Sequence, residues 1–493
     1  MRFILDTNVV IRMEDHRKVE SVCAELSRLT AGKHDLLLHP ASRDDVARDR
    51  DRARRIVIES KLGKYKTLEV AMEPDDGFRS AVGPGSRVND SVDIAVLYAL
   101  HRDAADFLIT EDDGLHRRAR RVSEEERVLT VAQAVALLRT LERGPPARHN
   151  LVRRVPIYTL DRDDPFFDSI RADYSSGFET WFQKISREGR PCYAFVENRR
   201  IRALMIFKEA DEHGIPGLPR PLFKISTLKV DEPARGLKLG ELFIKLAVWF
   251  AFQRRSKGVF VTVYEKHEGL RRVFEDFGFS HVRDSTGGEL VYFKDLRRPT
   301  AGSETRSDPA GFMRRHYPYL YDGGAVRKFI VPIQPGYHSR LFPETSDRQT
   351  LIDEYNEVIV QGNTIRKAYL CHAATRMIHP GSVLLFYRSG DHQAVTSIGV
   401  AETIFRTTDV TKVVSRVGRR TVYSLEEIRK LCRKPLLAIL FWHLQDVSQR
   451  ISLAQLKSEG VLRGSPQSIM ELKENAYRKW KGVAGIEDRS TVR

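Results

Sequence analysis

The sequence predicts a multidomain chain: an α/β unit with a parallel sheet and helices, an α+β unit, and a β-barrel with helices. Three observations predict it. The 493 residues exceed what one hydrophobic core organises, so two to four domains are expected. The hydrophobic pattern changes texture twice. Both changes coincide with breaks, Arg143-Gly144-Pro145-Pro146 and the polar stretch from Arg297 to Arg306. The expected segments are therefore 1–145, 150–298 and 326–490, with 299–325 as a linker.

The first segment alternates strand and helix patterns. Phe3 to Val10 reads as a buried parallel strand that runs into Asp6, and Asp106 to Asp112 as a second short strand finishing in a carboxylate. Between them, Asp90 to Leu100 reads as a buried helix with acids in its first turn, Asp90 and Asp93 sharing one face. A lone terminal aspartate is usually a cap. Several in one α/β segment repel one another unless a cation neutralises them, and hard oxygen donors suit Mg²⁺ or Mn²⁺.

On these residues the segment resembles a PIN-domain nuclease: an opening strand with Asp6-Thr7-Asn8, a second acid, an Asp beginning an apolar helix, and a strand ending Thr110-Glu111-Asp112. The resemblance implies a catalytic and metal-ligating set of Asp6, Asp45, Asp93 and Asp112. Asp44 is the alternative second acid, and Asp90 and Asp113 are auxiliary ligands. It further implies phosphodiester hydrolysis, usually of RNA, with Thr7 and Thr110 orienting the ligands. The arginine runs 48–55 and 117–121 either track phosphates or form solvated helix faces.

In the second segment, the strand Phe223 to Val230 leads through Asp231 to Gly240 into a helix, Glu241 to Phe252. Such a turn offers backbone N–H groups and a positive dipole end to a pyrophosphate, though many strand–helix turns carry two glycines. With the strand Val259–Tyr264 and the helix ending Gly278-Phe279, the segment resembles the acetyl-CoA-binding half of the GNAT acetyltransferases. The family's loop reads Arg-Gly-x-Gly-x-Gly; Arg235, Gly236 and Gly240 match, and Lys238 stands where a glycine is usual. The resemblance implies acetyl-CoA bound through Val230, Arg235, Gly236, Lys238 and Gly240. Many members carry a tyrosine as general acid where this chain has Phe274, so catalytic transfer is in question. Tyr264 is either a polar group of the site or a packed strand aromatic.

The third segment shows short strands at 380–387, 397–402 and 435–441. On this texture it resembles the ASCH and EVE group of PUA-like domains, which implies RNA or modified bases as ligand. The family's Gly-x-Lys-x-x-x-Glu signature is absent; Gly362 to Lys367 stands near it. Tyr387, Arg388, Trp442, His443, Gln467 and Ser468 are candidate base contacts, and equally core or loop residues. His372, His379 and His392 fit no ligand spacing.

Composition bounds the rest. Hydrophobic residues at 41% and charged residues at 30% fit a globular chain. Lys+Arg outnumber Asp+Glu by 82 to 66, a charge of +16 that favours polyanions or merely solubility. The four cysteines lie far apart, as expected of reduced thiols in a cytoplasmic protein. No apolar run reaches the roughly 18 residues of a membrane span, and Met1 to Asp6 reads as a strand rather than a signal peptide.

The combined expectation is a metal-dependent RNA-directed nuclease fused to an acetyltransferase and an RNA-recognition domain. tRNA is a candidate target, the setting is that of a toxin or defence system, and a homodimer is the expected state. The alternatives are a nucleic-acid-binding regulator whose pockets bind without turnover, and a protein acetyltransferase with targeting modules.

Overall fold

The computed structural model describes residues 1–493 apart from 15–19, 49–50, 69–71, 84, 86–89, 144–150, 175–176, 210–214, 286, 344–356, 360–363, 448 and 487, and describes only the backbone of 44, 143, 304, 357–359 and 488. The glycine–proline break at 144–146, Arg50, Gly362 and Asn363 lie outside the described residues, as does the side chain of Asp44. The chain divides into two compact units: residues 1–144 with 407–433, and residues 145–406 with 434–493.

The first unit is built on five parallel strands, β1 (Arg2–Leu5), β2 (Asp35–Leu38), β3 (Lys66–Thr67), β4 (Phe107–Ile109) and β5 (Val128–Leu129), in the order β3-β2-β1-β4-β5. Phe3, Ile4, Leu5 and Phe107 to Ile109 are fully buried. Each such apolar side chain contributes about 1.5–3 kcal/mol on burial, which anchors the two central strands. The order reverses direction between β1 and β4. In open α/β sheets that switch point opens a crevice at the carboxyl ends of the strands.

Residues 407–433 join this unit although they are interposed between two strands of the other. They form helices Val410–Val417 and Leu425–Leu431, the second started by a Ser424/Glu427 capping box. Val413, Val414, Val417 and Ile428 are buried. A Cβ added at Gly418 would stand 2.8 Å from Leu137, so only glycine lets the arm come this close to the helix Val131–Arg143. Arg419 donates to the Glu125 carbonyl at 2.9 Å, and Arg420 pairs with Glu126 at 3.3 Å.

The second unit holds an eight-stranded sheet of β6 (Leu151–Pro156), β7 (Pro191–Glu197), β8 (Arg200–Lys208), β9 (Leu222–Val230), β10 (Gly258–Tyr264), β11 (Ser280–Asp284), β12 (Glu289–Asp295) and, after β13 (Leu320–Tyr321) and β14 (Lys328–Ile333), β15 (Glu357–Ile359). Their order is β11-β12-β10-β9-β8-β7-β6-β15, with only β9 and β10 parallel among the described pairings. β14 joins β16 (Arg366–Cys371), β17 (Val383–Arg388), β18 (Ala394–Thr407), β19 (Leu436–Asp446) and β20 (Met470–Leu472) in a row ordered β16-β19-β18-β17-β14-β20. No described pairing closes that row into the expected barrel. β13 pairs with β21 (Thr491–Val492).

The expected linker 299–325 is structured. It holds helices Ser303–Ser307 and Pro309–His316 and strand β13, with Phe312, Met313 and Tyr317 buried. Trp249 Nε1 donates to the Tyr317 hydroxyl at 2.7 Å. The polar opening of this stretch hides an apolar face that enters the core shared by Phe250, Trp442 and Trp480, so the middle and last segments form one body. All four cysteines are free, and no helix among the described residues is long and apolar enough to cross a membrane.

Candidate functional site

Two places in the molecule gather the groups expected to act. The first is the crevice between β1 and β4. Parallel register sets Leu5 level with Leu38 and Ile109, so the residues that follow form a line across the strand ends: His39, Asp6, Thr110. Asp6 is 6% exposed. It accepts from Thr7 N at 2.7 Å, Asn8 Nδ2 at 2.7 Å and Thr110 Oγ1 at 2.5 Å. Thr110 Oγ1 also accepts from Asp112 N at 2.9 Å, and Asn8 Oδ1 from Glu111 N at 3.2 Å. These bonds stitch the ends of β1 and β4 together.

Asp93 lies in the first turn of the helix Asp90–His101, Asp45 in the helix Ala41–Ala47, and Asp112 caps the helix Asp113–Arg121 through Oδ1 to Leu115 N at 2.8 Å. Burial pushes Asp6 up to about 6 and Asp93 up to about 7. The negative charge of Asp112 and Asp45 adds to both, and that of Asp6 and Asp90 to Asp93. The charges of Asp45 and Asp112 therefore bear on both Asp6 and Asp93. Mutual repulsion of this kind calls for a cation, and the donors are hard oxygens. Yet no group of three or more His, Cys, Asp or Glu side chains converges closely enough to hold an ion among the described residues. The chemistry of the donor set suits a divalent cation, and its spacing in this structure does not.

The two auxiliary acids have other surroundings as well. Asp90 pairs with Arg118 at 3.1 Å, and Asp113 sits within the helix that Asp112 caps. Thr110 holds Asp6 through its hydroxyl, whereas Thr7 does so through its backbone and its buried hydroxyl has no partner among the described residues. Asn8, which no spacing argument singled out, bridges both strands; its only signal was its place after Asp6. Residues 1–144 hold 25 Lys+Arg against 26 Asp+Glu, so the basic surplus expected to attract a polyanion lies elsewhere in the chain.

The second place is a parting in the eight-stranded sheet. β9 and β10 pair from Leu222↔Gly258 to Ile225↔Val261 and then separate. Beyond that point β9 stays with β8 as far as Val230↔Ala203, and β10 stays with β12 as far as Tyr264↔Glu289. The register of β9 on β8 shifts between Ile225 and Thr227, which leaves Ser226 as a bulge at the parting. The Ser226 hydroxyl is buried without a hydrogen-bond partner. Two strand edges that diverge leave N–H and C=O groups available to an extended ligand.

The end of β9 leads into the loop 231–238 and the helix Leu239–Gln253. Its first N–H groups have no intrahelical acceptor, and its dipole favours anions there. Gly236 has φ +85° and Lys238 φ +61°, so the position where glycine is usual demands a left-handed backbone, which Lys238 adopts at a cost of about 1–2 kcal/mol. A Cβ at Gly240 would meet only Val273 at 4.0 Å, so the fold itself does not require glycine there. Arg235 is exposed, and Val230 is partly buried at the parted edge.

The short helix Asp168–Tyr174 spans the mouth of the parting. Lys229 on β9 donates to the Phe166 carbonyl and to Ser169 Oγ at 2.7 Å. Tyr174 donates to Glu289 Oε1 at 2.7 Å, and Asp173 meets Lys266 and, at 3.0 Å, His267. Tyr264 packs against Tyr174 with ring centres 5.6 Å apart. Phe274 is fully buried against Phe279, so it holds the core and donates no proton.

The last segment's candidate base contacts are mostly core. Tyr387 and Trp442 are buried, Trp442 against Phe277; Arg388 pairs with Asp391 at 2.6 Å; His443 meets Asp446 at 3.1 Å. Gln467, Ser468, His372 and His379 are exposed, and His392 meets Arg450 at 3.1 Å.

No family model matches the chain, and no curated protein matches it. Among solved structures, the chain is similar to an ASCH protein of Zymomonas mobilis, at 18% identity over 34% of this chain and 98% of that one, with TM-score 0.24. A GNAT-family acetyltransferase of Staphylococcus aureus Mu50 is similar at 13% identity over 30% of this chain and 99% of that one, with TM-score 0.24. A GNAT-family acetyltransferase of Elizabethkingia anophelis with acetyl-CoA bound is similar at 13% identity over 30% of this chain and 100% of that one, with TM-score 0.22.

Proposed function

We propose that the chain is an acetyl-CoA-dependent N-acetyltransferase joined to a PIN-type nuclease unit and a PUA-like RNA-recognition region. The observation that carries the first part is the parting of β9 and β10 at the Ser226 bulge, directly before a helix N-terminus. When bound, acetyl-CoA supplies an activated acetyl thioester. The chain's own part is to receive it. The first-turn N–H groups after Lys238 and the exposed Arg235 face its phosphates, and the edges of β9 and β10 accept its extended amide arm. The unpartnered Ser226 hydroxyl and the small Gly240 fit a group that approaches the backbone closely. Tyr174, Tyr264 and Glu289 rim the mouth through which an amine would enter.

The test is thermal denaturation of the full chain with and without acetyl-CoA. At a hundred times its dissociation constant the ligand adds about 2.7 kcal/mol of stability, a shift of several degrees. Release of free thiol on adding tRNA, aminoacyl-tRNA or a polyamine would then find the acceptor. No shift at millimolar acetyl-CoA would end this reading.

A second reading concerns the aspartates and rests on the raised Asp6 and Asp93, buried first and then bearing the charge of Asp112 and Asp45 at the ends of β1 and β4. Metal-dependent cleavage of RNA by Asp6, Asp45, Asp93 and Asp112 is assayed on total RNA with Mn²⁺ or Mg²⁺, and is lost in Asp93→Asn. tRNA is the first substrate to try.

A further inference from the structure

In the six-stranded sheet, the end of β18 overhangs its neighbour β17. β17 pairs with β18 from Arg388↔Ala394 to Val383↔Val400. The next residue, Ala401, still bonds the turn before β17: its carbonyl accepts from Gly381 N at 2.7 Å, and its N–H donates to the Ser382 carbonyl at 2.9 Å. β18 then runs on to Thr407 without β17 beside it. Backbone groups alternate sides along a strand. Thr403, two residues past Ala401, therefore aims its N–H and C=O at the side that β17 has left, beyond the last printed pair Val383↔Val400.

A groove of about 530 Å³ follows this overhang. Arg376, Ile378 and His379 line one wall, and Glu402, Thr403 and Arg406 the other. The opposing loop is fixed by Arg406, which donates to the Ala373 carbonyl at 2.6 Å and to the Thr375 carbonyl. The lining's one carboxylate, Glu402, is already neutralised by Arg366 at 2.9 Å and Arg314 at 3.4 Å. Arg376 is exposed with no ion-pair partner among the described residues. The groove is thus cationic, with an apolar part at Ile378, Phe405 and Leu437.

Like-facing backbone groups on an edge strand recur about every 6.8 Å, the repeat of another polypeptide strand. A nucleic acid backbone carries no such ladder of donors and acceptors. We propose that this groove binds an extended acidic peptide segment of a partner protein, which adds to β18 through Thr403 and sets its carboxylates on Arg376 and Arg406. Strand addition supplies affinity through the main chain and selectivity through alternate side chains. Nothing in this proposal depends on acetyl transfer or on the aspartates.

The test is fluorescence anisotropy on the full chain with a labelled peptide alternating Glu and Val. The comparison ligands are a Lys–Val peptide, the Glu–Val peptide N-methylated at every second amide, and a single-stranded RNA of the same length. Saturable binding of the Glu–Val peptide alone is expected. Arg376→Glu should weaken it about tenfold, the loss of one charge-assisted contact. Thr403→Pro removes the N–H aimed at the vacated side of β18, so it should abolish binding, with circular dichroism checking that the fold remains. The N-methylated peptide asks the same question of the unaltered protein. Equal binding of the methylated or basic peptide, tighter binding of RNA, or no saturation below millimolar peptide would each overturn the proposal.

Discussion

The crevice of the first unit and the parted sheet of the second are built from opposite materials. At the crevice, four carboxylates arrive on side chains from positions 6, 45, 93 and 112, and the backbone only holds them there. At the parting, the working surface is the backbone itself: two strand edges, a bulge at Ser226 and a helix N-terminus. A side-chain site fails when one residue changes chemistry. A backbone site tolerates such changes and fails when the chain can no longer take its shape. That contrast explains how Lys238 and Phe274 can depart from a familiar pattern while the architecture around them persists.

The sharpest way to break the comparison is Asp93→Asn. On the nuclease reading, RNA cleavage should fall by more than about 100-fold, since outer partners of metal sites alone account for 10–100-fold. Retained cleavage would mean the carboxylates are not the working groups. Next in size is Gly236→Val at φ +85°, a conformation that β-branched residues essentially avoid. The stabilisation by acetyl-CoA should vanish while RNA cleavage is unchanged, and circular dichroism checks that the fold remains.

The crevice should also show itself in pH dependence. Asp6 and Asp93 titrate higher in the folded chain than their ordinary value of 3.8, at about 6 and about 7. The folded state then binds more protons than the unfolded one, so this contribution is full below about pH 4 and is lost as pH rises toward 7. A tenfold difference in proton affinity between the folded and unfolded chain is worth about 1.4 kcal/mol, and the metal-free chain should melt several degrees lower at pH 8 than at pH 5. Asp93→Asn should flatten the profile. A flat profile in the parent chain would show that the repulsion is relieved in another way.

Two smaller effects sharpen the other side. Phe274→Tyr buries a hydroxyl without a partner, which costs about 1–3 kcal/mol, and should not raise turnover. A tenfold gain in acetyl transfer at equal stability would restore a side-chain account of that site. Lys238→Gly relieves a left-handed lysine at the expense of a freer unfolded chain, and acetyl-CoA binding should stay within about threefold of the parent by titration calorimetry.

These differences also decide what could be read in advance. Asp6 and Asp112 were legible because an apolar run that ends in a carboxylate is a local pattern, and the structure places both beside β1 and β4. The role of Asn8 was not, since bridging β1 to β4 depends on a strand about a hundred residues away. Ser226 was invisible for the same reason: a bulge exists only relative to the register of β8. The stretch 299–325 was read as a linker from its polar opening, although Phe312, Met313 and Tyr317 enter the core. Tyr387 and Trp442 carry aromatic rings that composition alone cannot distinguish from stacking platforms, and burial makes them packing residues. The allegiance of residues 407–433 had no local sign at all.

That allegiance has a temporal side. The helix Val131–Arg143 leaves the ribosome early, but the arm that covers it emerges roughly 290 residues later. At typical elongation rates of 5–20 residues per second, that is about 15–60 s during which the face not packed on the helix Ser21–Thr30 has no native partner. The aspartate-bearing unit therefore reaches its finished form only after most of the other unit has been made, so synthesis itself postpones whatever chemistry it performs.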